Sequence, residues 1–232
     1  MRTRFARTHR GLAIALSLML ILAGSAIAGP PLICHAFDIG SAKSLPWISH
    51  SWNLTGGETY DTSKLVSDTF AILAANPPVL VRMETLRRAT LYARKDPAVA
   101  KELLTKLTMG TKTAPSADAG ALHYFDVGYL AQTYKQWLGE GTQNPASALD
   151  GYALVKQAIQ LRPNDAQMEF AAALITLSGP VSEHQDHVQK ATAGAKNDPL
   201  LARNLASHFM GDRGETVAEV LTKPTVLTES KR

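Results

Sequence analysis

Apolar residues recur along most of this chain at helical spacings of three and four, and no stretch alternates long enough to form a strand. Leu65, Val66, Thr69, Phe70 and Leu73 make one stripe, predicting a helix from Thr62 to Ala75 that ends at Asn76-Pro77-Pro78. Val79, Leu80, Met83, Leu86 and Thr90 predict a second helix, Val79 to Arg94. After Asp96-Pro97, a good capping turn, Val99, Leu103, Leu104 and Leu107 predict a third, Pro97 to Leu107. Gly110 to Gly120 is small, polar and interrupted by proline, and reads as a loop. A long helix follows from Asp118 or Ala119 to Leu138, then a second loop from Gly139 to Pro145.

Leu149 to Leu177 reads as helix, tight turn, helix. Tyr152, Val155 and Ile159 mark the first arm and Met168, Ala171, Ala172 and Ile175 the second. Arg162-Pro163 ends the first arm, and Asn164 is expected to cap the second, with Gln167 closing a capping box. Ser178-Gly179-Pro180 and Asn197-Asp198-Pro199 bound a polar helix from Val181 to Lys196. A final helix spans Leu200 to Met210, with a loose tail beyond Gly211. Ahead of the helices, Cys34 to Thr59 has no sustained period. It is expected to lie over the helical body with Trp47 and Trp52 buried against it.

The helix–turn–helix resembles a tetratricopeptide repeat. Gly151, Val155, Ala158 and Pro163 stand at that family's offsets for a small residue, an aromatic, an alanine and a proline. Phe170, Ala171 and Leu174 fit the next helix, and Tyr134, Trp137 and Leu138 loosely fit the one before; Val155 departs from the aromatic. Pro97, Asp165 and Pro199 fall at intervals of 68 and 34 residues, near multiples of the family period. The resemblance implies an all-α fold of stacked antiparallel hairpins, a short solenoid or an irregular helical domain. It also implies a protein or peptide partner on a helical surface, for which Tyr134 and Phe170 are the candidate residues. The family has no shared catalytic residues to carry over.

Residues 1–28 read as a secretory signal, with an uncleaved membrane anchor as the alternative that the small-residue ending disfavours. Arg2, Arg4, Arg7 and Arg10 precede an apolar core from Leu12 to Ile21, and Ala26-Ile27-Ala28 makes an Ala-x-Ala cleavage site. The expected organisation is a signal at 1–28, an irregular segment at 29–60, a helical body at 61–210 and a tail at 211–232. Export to a periplasmic or extracellular compartment follows, with no stable membrane span after cleavage. Cys34 lacks the small preceding residue that a lipidated cysteine requires. The chain has 24 basic and 20 acidic residues, but the four signal arginines account for the whole excess. The mature chain is formally neutral, which argues against nucleic acid as a partner. One cysteine permits neither an intramolecular disulfide nor a multi-cysteine zinc site.

Candidate chemistry is sparse. Cys34, His35 and Asp38, with His50 further on, are residue types that hold zinc or another transition metal, or that pair a thiol with a base. Glu183-His184-x-x-His187 puts two imidazoles on one helix face, and His123 with Asp126 is a similar pair. Arg82, Arg87, Arg88, Arg94 and Lys95 read as a solvated face in which Glu84 pairs with the arginines after it. No phosphate-binding glycine loop or Gly-x-Ser-x-Gly elbow is present. The expectation is a protein- or peptide-binding module with no cofactor; the alternatives are a metal- or thiol-dependent activity at Cys34, His35 and Asp38, or a purely structural envelope component.

Overall fold

Each proline-marked break separates two helices. The computed structural model describes residues 30–47, 51–54, 59–110, 117–139 and 143–210. Among them are eight α-helices and no strand: α1 Leu65–Ala74, α2 Val79–Ala93, α3 Pro97–Gly110, α4 Ala117–Leu138, α5 Gly151–Leu161, α6 Ala166–Ile175, α7 Val181–Ala195 and α8 Pro199–Leu205. A 3₁₀ turn, Thr62–Lys64, leads into α1, and a π turn, Ala206–Met210, extends α8. Residues 1–29, which include the expected signal, lie outside the described residues, as do His50, parts of both interior loops and the tail.

Capping explains most boundaries. The Asp96 carboxylate accepts from the backbone N–H groups of Ala98 and Val99, and Asp198 from those of Leu200 and Leu201. At α6 the expected cap is one residue out. Asp165 accepts from Gln167 and Met168, while Asn164 takes a left-handed turn at φ 67°. Gln167 is therefore free of a capping box. Its carbonyl accepts from Leu80 N–H at the start of α2 and its amide donates to Asp198, tying three helix N-termini together.

Neighbouring helices pair antiparallel, as short connections require. Gly128 of α4 meets Gly151 of α5, and at the other end Arg162 reaches Asp118 at 3.5 Å. In α6 and α7, Gly194 lies against Ala166 while His184 reaches the Ala173 carbonyl. The helices run from 7 to 22 residues, so neighbouring pairs share no common length.

The fold is arranged around α2, which is buried on every side: only Arg88 among its 15 residues is not fully buried. The solvated basic face expected there is overturned, because Arg82 is 4 % exposed and Arg87 0 %. Arg82 stands three residues after Val79 and four before Leu86, on the same apolar face, so burying that face takes the arginine inside. Arg94 and Lys95 do reach solvent.

The segment before the helices straps α2, α4 and α8 together. Leu32, Ile33, Phe37 and Leu45 are its core anchors. Trp47 is only partly buried and Trp52 remains 37 % exposed, which corrects the expectation for the two tryptophans. Trp47 instead lies under the guanidinium groups of Arg87 and Arg88, and Trp52 meets the edge of Trp137. Polar contacts finish the strap. Leu32 N–H donates to Gln136, and Asp38 exchanges two hydrogen bonds of 2.9 Å with the Asn204 side chain.

Candidate functional site

Among the described residues the buried acidic side chains and their basic partners fall into three groups, of which two are consumed by the fold. In the first, Glu84 accepts from Arg87 through both carboxylate oxygens, from Arg88, and from Phe37 N–H. Burial pushes the Glu84 carboxyl up, but the two guanidiniums outweigh it and hold it below its usual range. Arg87 spends its remaining donors on the Ile33 and Trp52 carbonyls, and Arg88 donates to the Leu45 carbonyl. This cluster fixes the strap.

The second group joins α5, α6 and α7. His187 presents Nδ1 to Glu169 and Nε2 to the Tyr152 hydroxyl, which donates to Glu183 at 2.7 Å. His184 turns instead to the Ala173 carbonyl. The two imidazoles of the Glu183-His184-x-x-His187 motif therefore serve different partners and do not converge.

The third is Arg82 with Asp126, 2.6 Å apart and almost wholly buried. Arg82 also donates to the carbonyls of Pro77 and Leu73 and to the Asn76 side chain. Asp126 Oδ2 takes the ion pair, whereas Oδ1 has no hydrogen-bond partner. Burial raises the Asp126 carboxyl to about 7 against the opposing pull of Arg82. His123, one turn earlier on α4, is lowered by burial and then by Arg82.

The Cys34, His35 and Asp38 segment is not gathered into a site. Asp38 bonds Arg203 at 2.7 Å and Gly40 N–H, which together lower its carboxyl. His35 lies edge-on to the His208 ring, and burial raises the Cys34 thiol, the opposite of an activated nucleophile. Among the described residues no three His, Cys, Asp or Glu side chains are placed to hold a metal ion.

Tyr134 and Phe170 are core side chains, each 0 % exposed. Tyr134 donates its hydroxyl to the Ala100 carbonyl, and Phe170 packs against Phe37, His208 and Phe209. Neither can touch a partner. Their helices carry small residues and aromatics because they pack on each other, and that same pattern makes the repeat resemblance.

The open concavity lies elsewhere. Helix α3 and residues 143–149 enclose a groove of about 680 Å³ lined by Pro97, Lys101, Leu104, Met109, Pro145 and Leu149, among others. Pro97 and Gln143 also line an adjoining cavity of about 280 Å³ with Arg94, Trp137 and Leu138, so the two run on from one another. Arg94 stacks on Trp137 at 4.5 Å, and the Trp137 indole N–H is buried without an acceptor. Met109 is 64 % exposed at the far end. Among the described residues no carboxylate lines either part. The second wall is set by Asn144, which donates to the Tyr134 and Gly139 carbonyls and folds the connection back along α4, and by Lys135, which donates to the Leu149 carbonyl. Sequence reasoning missed this groove because its walls come from segments some 40 residues apart, each ordinary alone.

No protein-family model matches the chain, and neither a curated protein nor a solved structure is detectably similar to it.

Proposed function

We propose that this protein is an exported, non-catalytic binding module whose groove along α3 takes a short apolar peptide segment carrying a carboxylate. The observation that carries the reading is the composition of that groove. Among the described residues its length of wall is apolar, from Met109 through Leu104 to Pro145, while its charged groups are Lys101 and Arg94. Apolar side chains supply the contact area, and the two cations select an acidic partner. A groove that continues past Pro97 suits an extended segment better than a compact small molecule. The basic start, apolar core and Ala-x-Ala motif of residues 1–28 support export. The spacing at Gly151, Val155, Ala158 and Pro163 supports a distant relation to tetratricopeptide modules, which bind partners rather than transform them.

The test is selection of displayed random peptides on the purified chain, followed by affinity measurement on variants. Ala98 is an exposed groove residue, so Ala98→Trp fills the groove without touching the core. Selected peptides are expected to carry apolar anchors with an acidic residue, to lose about tenfold or more on Ala98→Trp, and to weaken on Lys101→Glu. Peptides indifferent to both variants, or a selection that yields no binder, would discard the reading.

A further inference from the structure

The strap meets the end of α8 at a histidine. His208 sits in the π turn that extends α8, 4 % exposed, with its ring stacked on Phe37 at 4.7 Å. Phe170 of α6 and His35 of the strap meet the ring edge-on at 5.5 and 5.6 Å. The imidazole therefore fills the joint between the strap and two helices.

Hydrogen bonding fixes the state of that ring. Its Nδ1 lies 2.9 Å from the Asn204 carbonyl, which can only accept, so Nδ1 carries the proton and donates. Ser207, also beside Nδ1, donates its hydroxyl to the same carbonyl. Nε2 is then a bare acceptor, buried with no partner among the described residues. A second proton would place a cation, and an N–H without an acceptor, in the interior, which is costly. The surrounding charges do not reverse this. Burial lowers His208 to about 4; the Asn204 carbonyl and Glu84 of α2 pull the other way, while His35 and Arg87 add to the lowering. Phe170 brings no charge from α6, and Asp38 is turned to Arg203 and Gly40.

The strap is fastened in two places. Glu84, Arg87 and Arg88 hold it on α2 and Gln136 holds it on α4, through bonds that do not involve His208. Its Asp38 end is held on α8, by Asn204 and Arg203. We propose that His208 is an acid-sensitive latch: a proton on Nε2 drives the ring out from between Phe37 and Phe170 and parts residues 35–40 from α8, while the fastenings to α2 and α4 hold. The parted state uncovers Phe37 and Phe170, so an apolar slot opens in acid. No residue of this joint lines the groove along α3, and the latch stands apart from the binding reading.

The experiment is amide hydrogen exchange of the purified full chain, read by NMR from pH 7 to pH 5 and corrected for the exchange rate of an unprotected amide. Protection of the Asp38 amide, bonded to Asn204, is expected to fall about tenfold or more, because the freed ring takes up a proton that the buried ring refuses. The Leu32 amide, bonded to Gln136, should change by less than about threefold. The Asp38 carboxyl, held below its usual range by Arg203 and the Gly40 N–H, stays ionised over this span and does not contribute. His208→Phe keeps a ring against Phe37 but has no site for the proton, and should leave Asp38 protection level with pH. A level Asp38 profile in the wild type, an equal fall at Asp38 and Leu32, or the same fall in His208→Phe would each overturn the proposal. The first two are read on the wild type, and decide it even if His208→Phe fails to fold.

Discussion

Gly128 and Gly151 meet backbone to backbone: a Cβ on either would fall 2.5 Å from the other's carbonyl oxygen. This contact sets the spacing of α4 and α5. An alanine inside a helix normally gains about 1 kcal/mol over glycine. Here it would press on a backbone carbonyl that cannot rotate away. Gly128→Ala is therefore expected to destabilise by roughly 1–3 kcal/mol despite its better helix propensity. Gly151→Ala, at a helix start with less propensity to gain, should do at least as much harm. Urea unfolding of both variants measures this, and a stabilised Gly128→Ala would refute the close approach.

Arg87 donates to Glu84 and to two strap carbonyls while wholly buried. Arg87→Met leaves Glu84 with Arg88 as its only cation and strips the Ile33 and Trp52 carbonyls of their donor. The expected loss is about 3–5 kcal/mol, because a buried charge is left under-compensated. Protease sensitivity should rise first in the strap. Unfolding free energy and the first cleavage site check both parts, and a loss below about 1 kcal/mol would mean that the cluster is not dry.

Two buried groups pull stability in opposite directions with pH. His208 is lowered by burial from 6.5 to about 4. Between those values the unfolded chain binds the proton more readily, so stability rises with pH through that window. Asp126 is raised by burial from 3.8 to about 7, so there the folded chain holds the extra proton and stability falls as pH rises. Wild type should show a shallow net profile between pH 4 and 7. Removing His208, as His208→Phe, should expose the falling slope, and Asp126→Asn the rising one. Unfolding midpoints across that range test this; variants whose slopes do not diverge in those directions would contradict the assignment.

His187 lies between Glu169 and Tyr152. His187→Ala leaves the Glu169 carboxylate, 4 % exposed, with only Lys190 at 3.8 Å. The expected cost is about 2–4 kcal/mol, against about 1 kcal/mol for Tyr152→Phe. Comparable losses in the two variants, measured by unfolding, would show that the imidazole does not compensate Glu169.

The helices were legible because prolines and capping aspartates punctuate them: Pro77-Pro78, Asp96-Pro97 and Asp198-Pro199 each mark a boundary in the fold. The interior was less so. Arg82 and Arg87 read as surface charges because arginine usually is, and their burial depends on Asp126, Glu84 and strap carbonyls far away in sequence. A partial signal existed for Arg82, which shares the face of Val79 and Leu86. His123 and Asp126 were visible as a pair, but their cavity was not, since its other walls come from α1 and α3. The aromatics Tyr134 and Phe170 were misplaced for the converse reason: periodicity says that a residue shares a face, not whether that face meets a neighbour or water.

The exchange between Asp38 and the Asn204 side chain spans 166 residues. During synthesis Asn204 is delivered long after Asp38. Helices α2 and α4 seat the strap through Glu84, Arg87, Arg88 and Gln136, and the Asp38 end alone waits for α8. Closing so long a loop adds little equilibrium cost but postpones completion of the fold. A chain truncated ahead of Asn204 would keep the strap on α2 and α4 and lose its fastening to α8 at Asp38.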